Sequence, residues 1–308
     1  MIDGEKGDDR LSRNNRREVA RRKAQALRAE QKKKDRRSRF LLQGGIAVAV
    51  LAVIAVVSLI IANTYIKAPI PGPLNMASDG IVIGPKLAAV TTGALQPGDD
   101  PVSSASTDPN VINIRIYLDY QCTLCKKFET TNAKQLAAWA KSGAATVEIH
   151  PLAIFDRNSV GAKYSTRSAN AVACVANFSP NNFFTFNSLL FDNQPAGQTE
   201  GLTDATLVSL ANKAKVKHPA SIATCIDDQT FKTWVNAATA RAFTGPIPHS
   251  KVDKVTQTPT VIVNGVKYSG ALDEANEFAL FVNTAAGNVF VEESTASPAP
   301  TPSPTPTP

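Results

Sequence analysis

Two cysteines, Cys122 and Cys125, stand three positions apart in YLDYQCTLCKKF (residues 117–128), where an apolar alternating run gives way to a helical one. Cys-x-x-Cys serves as half of a zinc site, a haem attachment, a structural clip or a redox centre. Zinc needs four ligands, most recognisably in two close pairs. The other two cysteines, Cys174 and Cys225, are 51 positions apart, and His150, His218 and His249 are scattered. Haem attachment needs His directly after the second cysteine, a place held here by Lys126. A clip across so small a loop adds little stability.

The redox reading fits the local chemistry. A strand-to-helix junction puts Cys122 at a helix N-terminus, where unpaired N–H groups and the helix dipole favour a thiolate. That makes Cys122 the nucleophile. Cys125, one turn further in, becomes the resolving thiol, since positions i and i+3 bring two sulfurs together. Lys126 and Lys127 read as solvated helix surface. Thr123 and Leu124, between the cysteines, are expected to tune the redox potential.

The elements that carry this pair are legible as periods. Val111–Leu118 alternates, with Ile112, Ile114, Ile116 and Leu118 on one face, and predicts a strand. From Cys122 the period becomes helical, with Leu124, Phe128, Leu136 and Ala140 on one face and Gly143 as the stop. Thr146–His150 alternates again and completes a β–α–β unit. Residues 160–244 have helical spacings and no convincing strand. Thr260–Val263 and Val266–Tyr268 flank Asn264-Gly265, a strong hairpin signal. A helix then opens at Asp273 and is predicted to stop at Gly287. This order describes an α/β protein, a thioredoxin-type sheet with a helical insertion at about 160–244.

The segment from Val111 to about Asn288 resembles the DsbA-like thiol–disulfide oxidoreductases. The resemblance rests on Tyr117-Leu118-Asp119-Tyr120-Gln121-Cys122-Thr123-Leu124-Cys125 with Phe128, and on Gln257-Thr258-Pro259-Thr260-Val261-Ile262-Val263-Asn264-Gly265. It implies a cis bond before Pro259, facing the cysteines, with the Thr258 backbone pairing with a bound polypeptide. It implies no cofactor and no metal. Two positions depart from the common pattern: Thr123 stands where many relatives have Pro, and Gln257 where they have Gly. Some relatives carry a disulfide in the insertion, which implies pairing of Cys174 with Cys225; a second redox relay or free thiols are the alternatives. The anchor and tail described next resemble those of actinobacterial members, whose implied role is to oxidise exported proteins with a quinone-linked VKOR- or DsbB-like reoxidase as partner.

Charge is unevenly placed. Residues 1–39 carry 15 Lys/Arg against 7 Asp/Glu, while the rest of the chain is nearly neutral. Phe40–Ala62 is uncharged over 23 residues, about 35 Å as a helix, enough for a bilayer core of about 30 Å. A basic block directly before an apolar run predicts a single transmembrane helix with the N-terminus cytoplasmic and the remainder extracytoplasmic. The cations then read as a topology signal and lipid contact, not as a nucleic-acid site. The expected domains are a cytoplasmic tail (1–39), an anchor (40–66), a Pro/Gly-rich stalk (67–110), the catalytic domain (111–291) and a disordered Pro/Thr-rich tail (292–308). Within the stalk, residues 79–84 form a candidate strand for the sheet edge. Glu129 reads as an exposed first-turn acid, and a proton acceptor for Cys125 is the alternative. His150 reads as strand-end filler. Trp139, Phe183, Phe184 and Phe186 read as packing residues.

Overall fold

Side chains alternate along Ile112–Leu118, yet both faces of this strand are buried: Ile114, Ile116 and Leu118 on one side, Arg115 and Tyr117 on the other. A strand covered on both faces belongs at the centre of a sheet. The structure, a computed structural model, describes residues 70–103 and 106–295, together with 50–58 and short stretches between 18 and 37.

In chain order the elements are β1 (Ile81–Ile83), β2 (Ile112–Leu118), α1 (Thr123–Ser142), β3 (Ala145–Pro151), α2 (Tyr164–Phe178), α3 (Phe183–Asp192), α4 (Asp204–Lys213), α5 (Pro219–Asp227), α6 (Lys232–Thr244), β4 (Thr260–Val263), β5 (Val266–Lys267) and α7 (Ala275–Thr295). The sheet order is β1-β3-β2-β4-β5. β2 runs parallel to β3 across α1 and antiparallel to β4, with Tyr117 opposite Thr260. Asn264-Gly265 closes the β4–β5 hairpin, both residues at positive φ. Gly143 caps α1 at φ 85°, a left-handed conformation that glycine adopts without a Cβ penalty. Helices α2 to α6 interrupt the sheet between β3 and β4, where the sequence shows helical periods alone.

Three boundaries differ from the sequence expectation. The segment read as a stalk packs as part of the domain: the compact unit begins at Pro69, and Met76, Ile81 and Ile83 are fully buried. β1 pairs antiparallel with β3, and Asp79 grips Arg241 of α6 through two bonds of 2.6 and 2.7 Å. Proline-rich composition masked a segment that buries Met76, Ile81, Val82, Ile83 and Leu95 while leaving Leu74 and Val90 exposed. The last helix opens at Ala275 and continues past Gly287 to Thr295, since one glycine inside a helix costs only about 1 kcal/mol. Leu124, placed by periodicity on the buried face of α1, is 52% exposed: the opening turn buries Cys125 and turns Thr123 and Leu124 outward.

Among the described residues no helix is long and apolar enough to cross a membrane. The predicted anchor at 40–66 falls outside the described residues apart from 50–58, which are helical. Most of the predicted tail, from residue 296, also falls outside them.

Candidate functional site

The site forms where β2 ends. The chain turns through Asp119–Cys122, closed by Cys122 N–H donating to Asp119 O at 3.0 Å and by Gln121 N–H donating to Asp119 Oδ1 at 2.8 Å. Cys122 is the N-cap of α1, in extended conformation (φ −78°, ψ 116°). N-cap positions ordinarily carry a side-chain oxygen that takes a free N–H of the first turn. Here the acceptor is sulfur: Cys122 Sγ accepts the Cys125 N–H at 3.2 Å. A thiol is a weak acceptor and a thiolate a strong one, so this cap rewards ionisation.

β4 supplies the facing wall. With Tyr117 opposite Thr260, the antiparallel register carries residue 258 alongside the turn. The Thr258-Pro259 peptide is cis, as is Gly245-Pro246. The Cys122 thiol donates to Thr258 O at 3.3 Å. The Thr258 hydroxyl is buried and without a hydrogen-bond partner. Both cysteines are reduced and buried, Cys122 at 4% exposure and Cys125 at 2%. Thr123 and Leu124, between them, are exposed.

The two thiols are poised in opposite directions. Cys122 is lowered to about 7, chiefly by the Cys125 thiol as donor, against burial and with help from the Thr258 side chain and the Cys125 N–H. Burial first, then the adjoining Cys122, raises Cys125 well above its ordinary value. Lys127 does not contribute; it pairs with Asp273 at 2.6 Å on the surface.

Two buried carboxyls flank the dithiol. Asp119 appears in the sequence only as part of a motif, yet it fastens three segments together. Its Oδ1 accepts from Gln121 N and Ser165 Oγ, and its Oδ2 from Ile154 N and Phe155 N. Burial still raises it to about 6. Glu129, expected on the surface, is 2% exposed because α3 of the insertion packs against α1. Asn187 Nδ2 donates to Glu129 Oε1 at 2.6 Å, and Tyr120 Oη donates to Asn187 Oδ1 at 2.8 Å. Glu129 Oε2 has no partner, and burial raises the acid to about 7.

The remaining expected residues fall away from the dithiol. Cys174 and Cys225 form a disulfide between α2 and α5, with Cα atoms 5.9 Å apart. His150 is buried, stacks on Tyr117 at 4.3 Å between ring centroids and lies 3.2 Å from Glu148. Phe183, Phe184 and Phe186 are buried in the main core, and Trp139 packs at its edge against Phe278. Among the described residues no group of three or more His, Cys, Asp or Glu side chains could hold a metal. The periodicity also gave no sign of Gln194, just past α3, which reaches back to the active-site turn; a polar residue in a loop carries no periodic signal.

A dithiol at a helix N-terminus, faced by a cis-proline loop, is the arrangement of a thioredoxin-fold redox protein. A thioredoxin family model matches residues 109–280, over half the chain. Solved structures give concordant matches. The chain is similar to oxidised DsbA of Mycobacterium tuberculosis, with 25% identity, a TM-score of 0.50, and coverage of 71% of this chain and 100% of that one. The reduced disulfide bond oxidoreductase DsbG of the same organism matches at 24% identity and a TM-score of 0.51, covering 72% of this chain and 96% of that one. BdbD of Bacillus subtilis matches at 18% identity and a TM-score of 0.50, covering 72% and 100%. A search of curated proteins gave no match. The chain belongs to the thioredoxin family, and its fold and dithiol make it a thiol–disulfide oxidoreductase of the DsbA type.

Proposed function

We propose that this protein is a membrane-anchored, extracytoplasmic oxidase that introduces disulfide bonds into exported proteins. The observation that carries the reading is the opposed poise of the two thiols, with Cys122 lowered to about 7 while Cys125 is raised. A protein that stabilises its own thiolate favours its reduced state and therefore takes electrons from substrates.

In the working direction the protein begins with a Cys122–Cys125 disulfide. A substrate thiolate attacks Cys122 Sγ, forming a mixed disulfide and expelling Cys125 as a thiolate that takes up a proton. A second substrate thiolate attacks the substrate sulfur of that mixed disulfide and expels the Cys122 thiolate. The substrate has lost two electrons and the protein dithiol has gained them. Thr258 O, 3.3 Å from the sulfur, marks where the incoming polypeptide backbone would lie.

By analogy with DsbA-like proteins, a quinone-linked membrane partner of the VKOR or DsbB kind returns the dithiol to the disulfide. The location rests on the sequence: 15 cations before residue 40, then 23 uncharged residues. The Cys174–Cys225 disulfide supports an oxidising compartment, where such bonds persist.

One observation favours a second reading, a reductase or isomerase of the same fold. A nucleophilic cysteine near 7 matches thioredoxin, whereas strongly oxidising DsbA lies at about 3.5. Equilibration with glutathione separates the two. A potential near −120 mV supports the oxidase, and one at or below about −270 mV overturns it in favour of a reductase.

A further inference from the structure

Gln194 lies just past the end of α3, 72 residues from Cys122 in the chain. Its side-chain nitrogen donates to two carbonyls of the active-site turn, Tyr120 O and Cys122 O, each at 2.9 Å. An amide nitrogen has two N–H groups, so this side chain spends both donors on the turn. Cys122 O is also the acceptor of the Lys126 N–H at 3.1 Å, one of the bonds that open α1.

The clamp is itself anchored. Gln194 N–H donates to Phe191 O at 3.2 Å, and Gln198 N–H to Asn158 O at 3.0 Å. Further along the same loop, Arg167 donates to Glu200 O, Leu202 O and Asp204 Oδ1. Asn158 O in turn accepts from Gln121 Nε2 at 2.9 Å, so the loop reaches the turn by two routes.

We propose that Gln194 is a positioning residue for the redox chemistry: by holding the carbonyls of residues 120 and 122 it fixes the capping conformation of Cys122 and the aim of the Cys125 N–H at its sulfur. The inference rests on the reading of Cys122 as the redox nucleophile. Two effects act in one direction. The amide keeps the turn from relaxing when the sulfur exchanges partners between dithiol and disulfide. It also places the positive ends of two N–H dipoles against carbonyls whose negative ends would otherwise oppose a thiolate nearby.

The test is the titration of the thiolate absorbance near 240 nm in the full-length protein, with thermal unfolding measured alongside. Q194A is expected to raise the Cys122 titration, lowering the thiolate fraction at pH 7 by roughly threefold to tenfold, the range of a weakened bond to a charged acceptor. Q194E, which turns carboxylate oxygens toward the two carbonyls, is expected to shift it further the same way. N193A is the control, since the Asn193 side chain bonds Leu189 O in its own helix; it should titrate like the wild type. If Q194A does not fold, Q194N, which withdraws the amide by one carbon, carries the comparison. A thermal shift in Q194A with an unmoved titration overturns the proposal, because the residue would then only hold the loop. A wild-type protein with no thiolate titration between about pH 5 and 9 sinks the reading of Cys122 instead.

Discussion

The sulfur of Cys122 meets the carbonyl oxygen of Thr258 at 3.3 Å, across 136 residues of chain. The same residue keeps a buried hydroxyl with no partner, and its side chain helps lower Cys122. The hydroxyl is thus a donor held in reserve for the thiolate. Thr258→Val keeps the shape and removes the donor. Its Cys122 should titrate higher than in the wild type, and exchange with a small disulfide at pH 7 should slow by about threefold to tenfold. Stopped-flow kinetics across pH 5 to 9 checks this; unchanged kinetics would remove Thr258 from the chemistry.

The two thiols should separate in alkylation. With Cys122 lowered to about 7 and Cys125 raised and buried, iodoacetamide is expected to modify Cys122 alone in the native protein. The rate should rise through a midpoint near pH 7, with peptide mass spectrometry as the readout. Equal labelling of both cysteines would contradict the asymmetry. Cys125→Ser should accumulate mixed disulfides in cells, because no Cys125 thiolate remains to attack Cys122 and release a substrate that lacks a second thiol.

Glu129 makes stability depend on pH with a definite sign. Its acid is raised from 4.5 to about 7 in the folded protein, so the native state binds more protons than the unfolded one between those values. Stability therefore falls as pH rises from about 4.5 to 7, and the ionised form costs roughly 3 kcal/mol above that range. Glu129→Gln keeps an acceptor for Asn187 and removes the charge. It should flatten this part of the profile and raise the unfolding midpoint at pH 7.5, measured by urea denaturation at several pH values.

The Cys174–Cys225 bridge closes a loop of 51 residues. Replacing both cysteines by Ala should cost about 4 kcal/mol in the chain-entropy model while leaving the Cys122–Cys125 potential unchanged. A shifted potential would mean that the second pair exchanges electrons with the first.

Asp79 and Arg241 join the segment before β2 to α6 through two charge-assisted bonds. Because Arg241 is one-third exposed, Asp79→Ala should cost about 1–2 kcal/mol, less than breaking a fully buried pair. Hydrogen exchange should accelerate first at Ile81–Ile83.

How far the sequence disclosed this molecule depends on which residues are considered. β2, α1 and β3 were legible because long apolar periods survive whatever packs against them. Cys122 and Cys125 were legible because their spacing is itself the chemistry. Glu129 was misjudged because its neighbour, Asn187, arrives from a helix 58 residues later, and helical periodicity describes only a helix's own face. Asp119 and Gln194 were missed for a related reason: each acts on backbone groups of other segments, and hydrogen bonds to backbone leave no trace in residue type. The docking of 70–102 was hidden by seven prolines between Pro69 and Pro109, which mark irregular backbone but do not prevent burial.

The position of β4 in the chain has a consequence for how the protein comes into being. β2 finds β3 within about 33 residues but must wait for β4 until roughly 150 residues have followed it. During synthesis the dithiol is therefore complete long before Thr258 exists, and five helices emerge in the interval. Four cysteines allow three pairings, and only Cys174–Cys225 leaves the working pair free. A nascent chain thus presents Cys122 before the wall that governs its access, and must first avoid pairing it with Cys174 or Cys225.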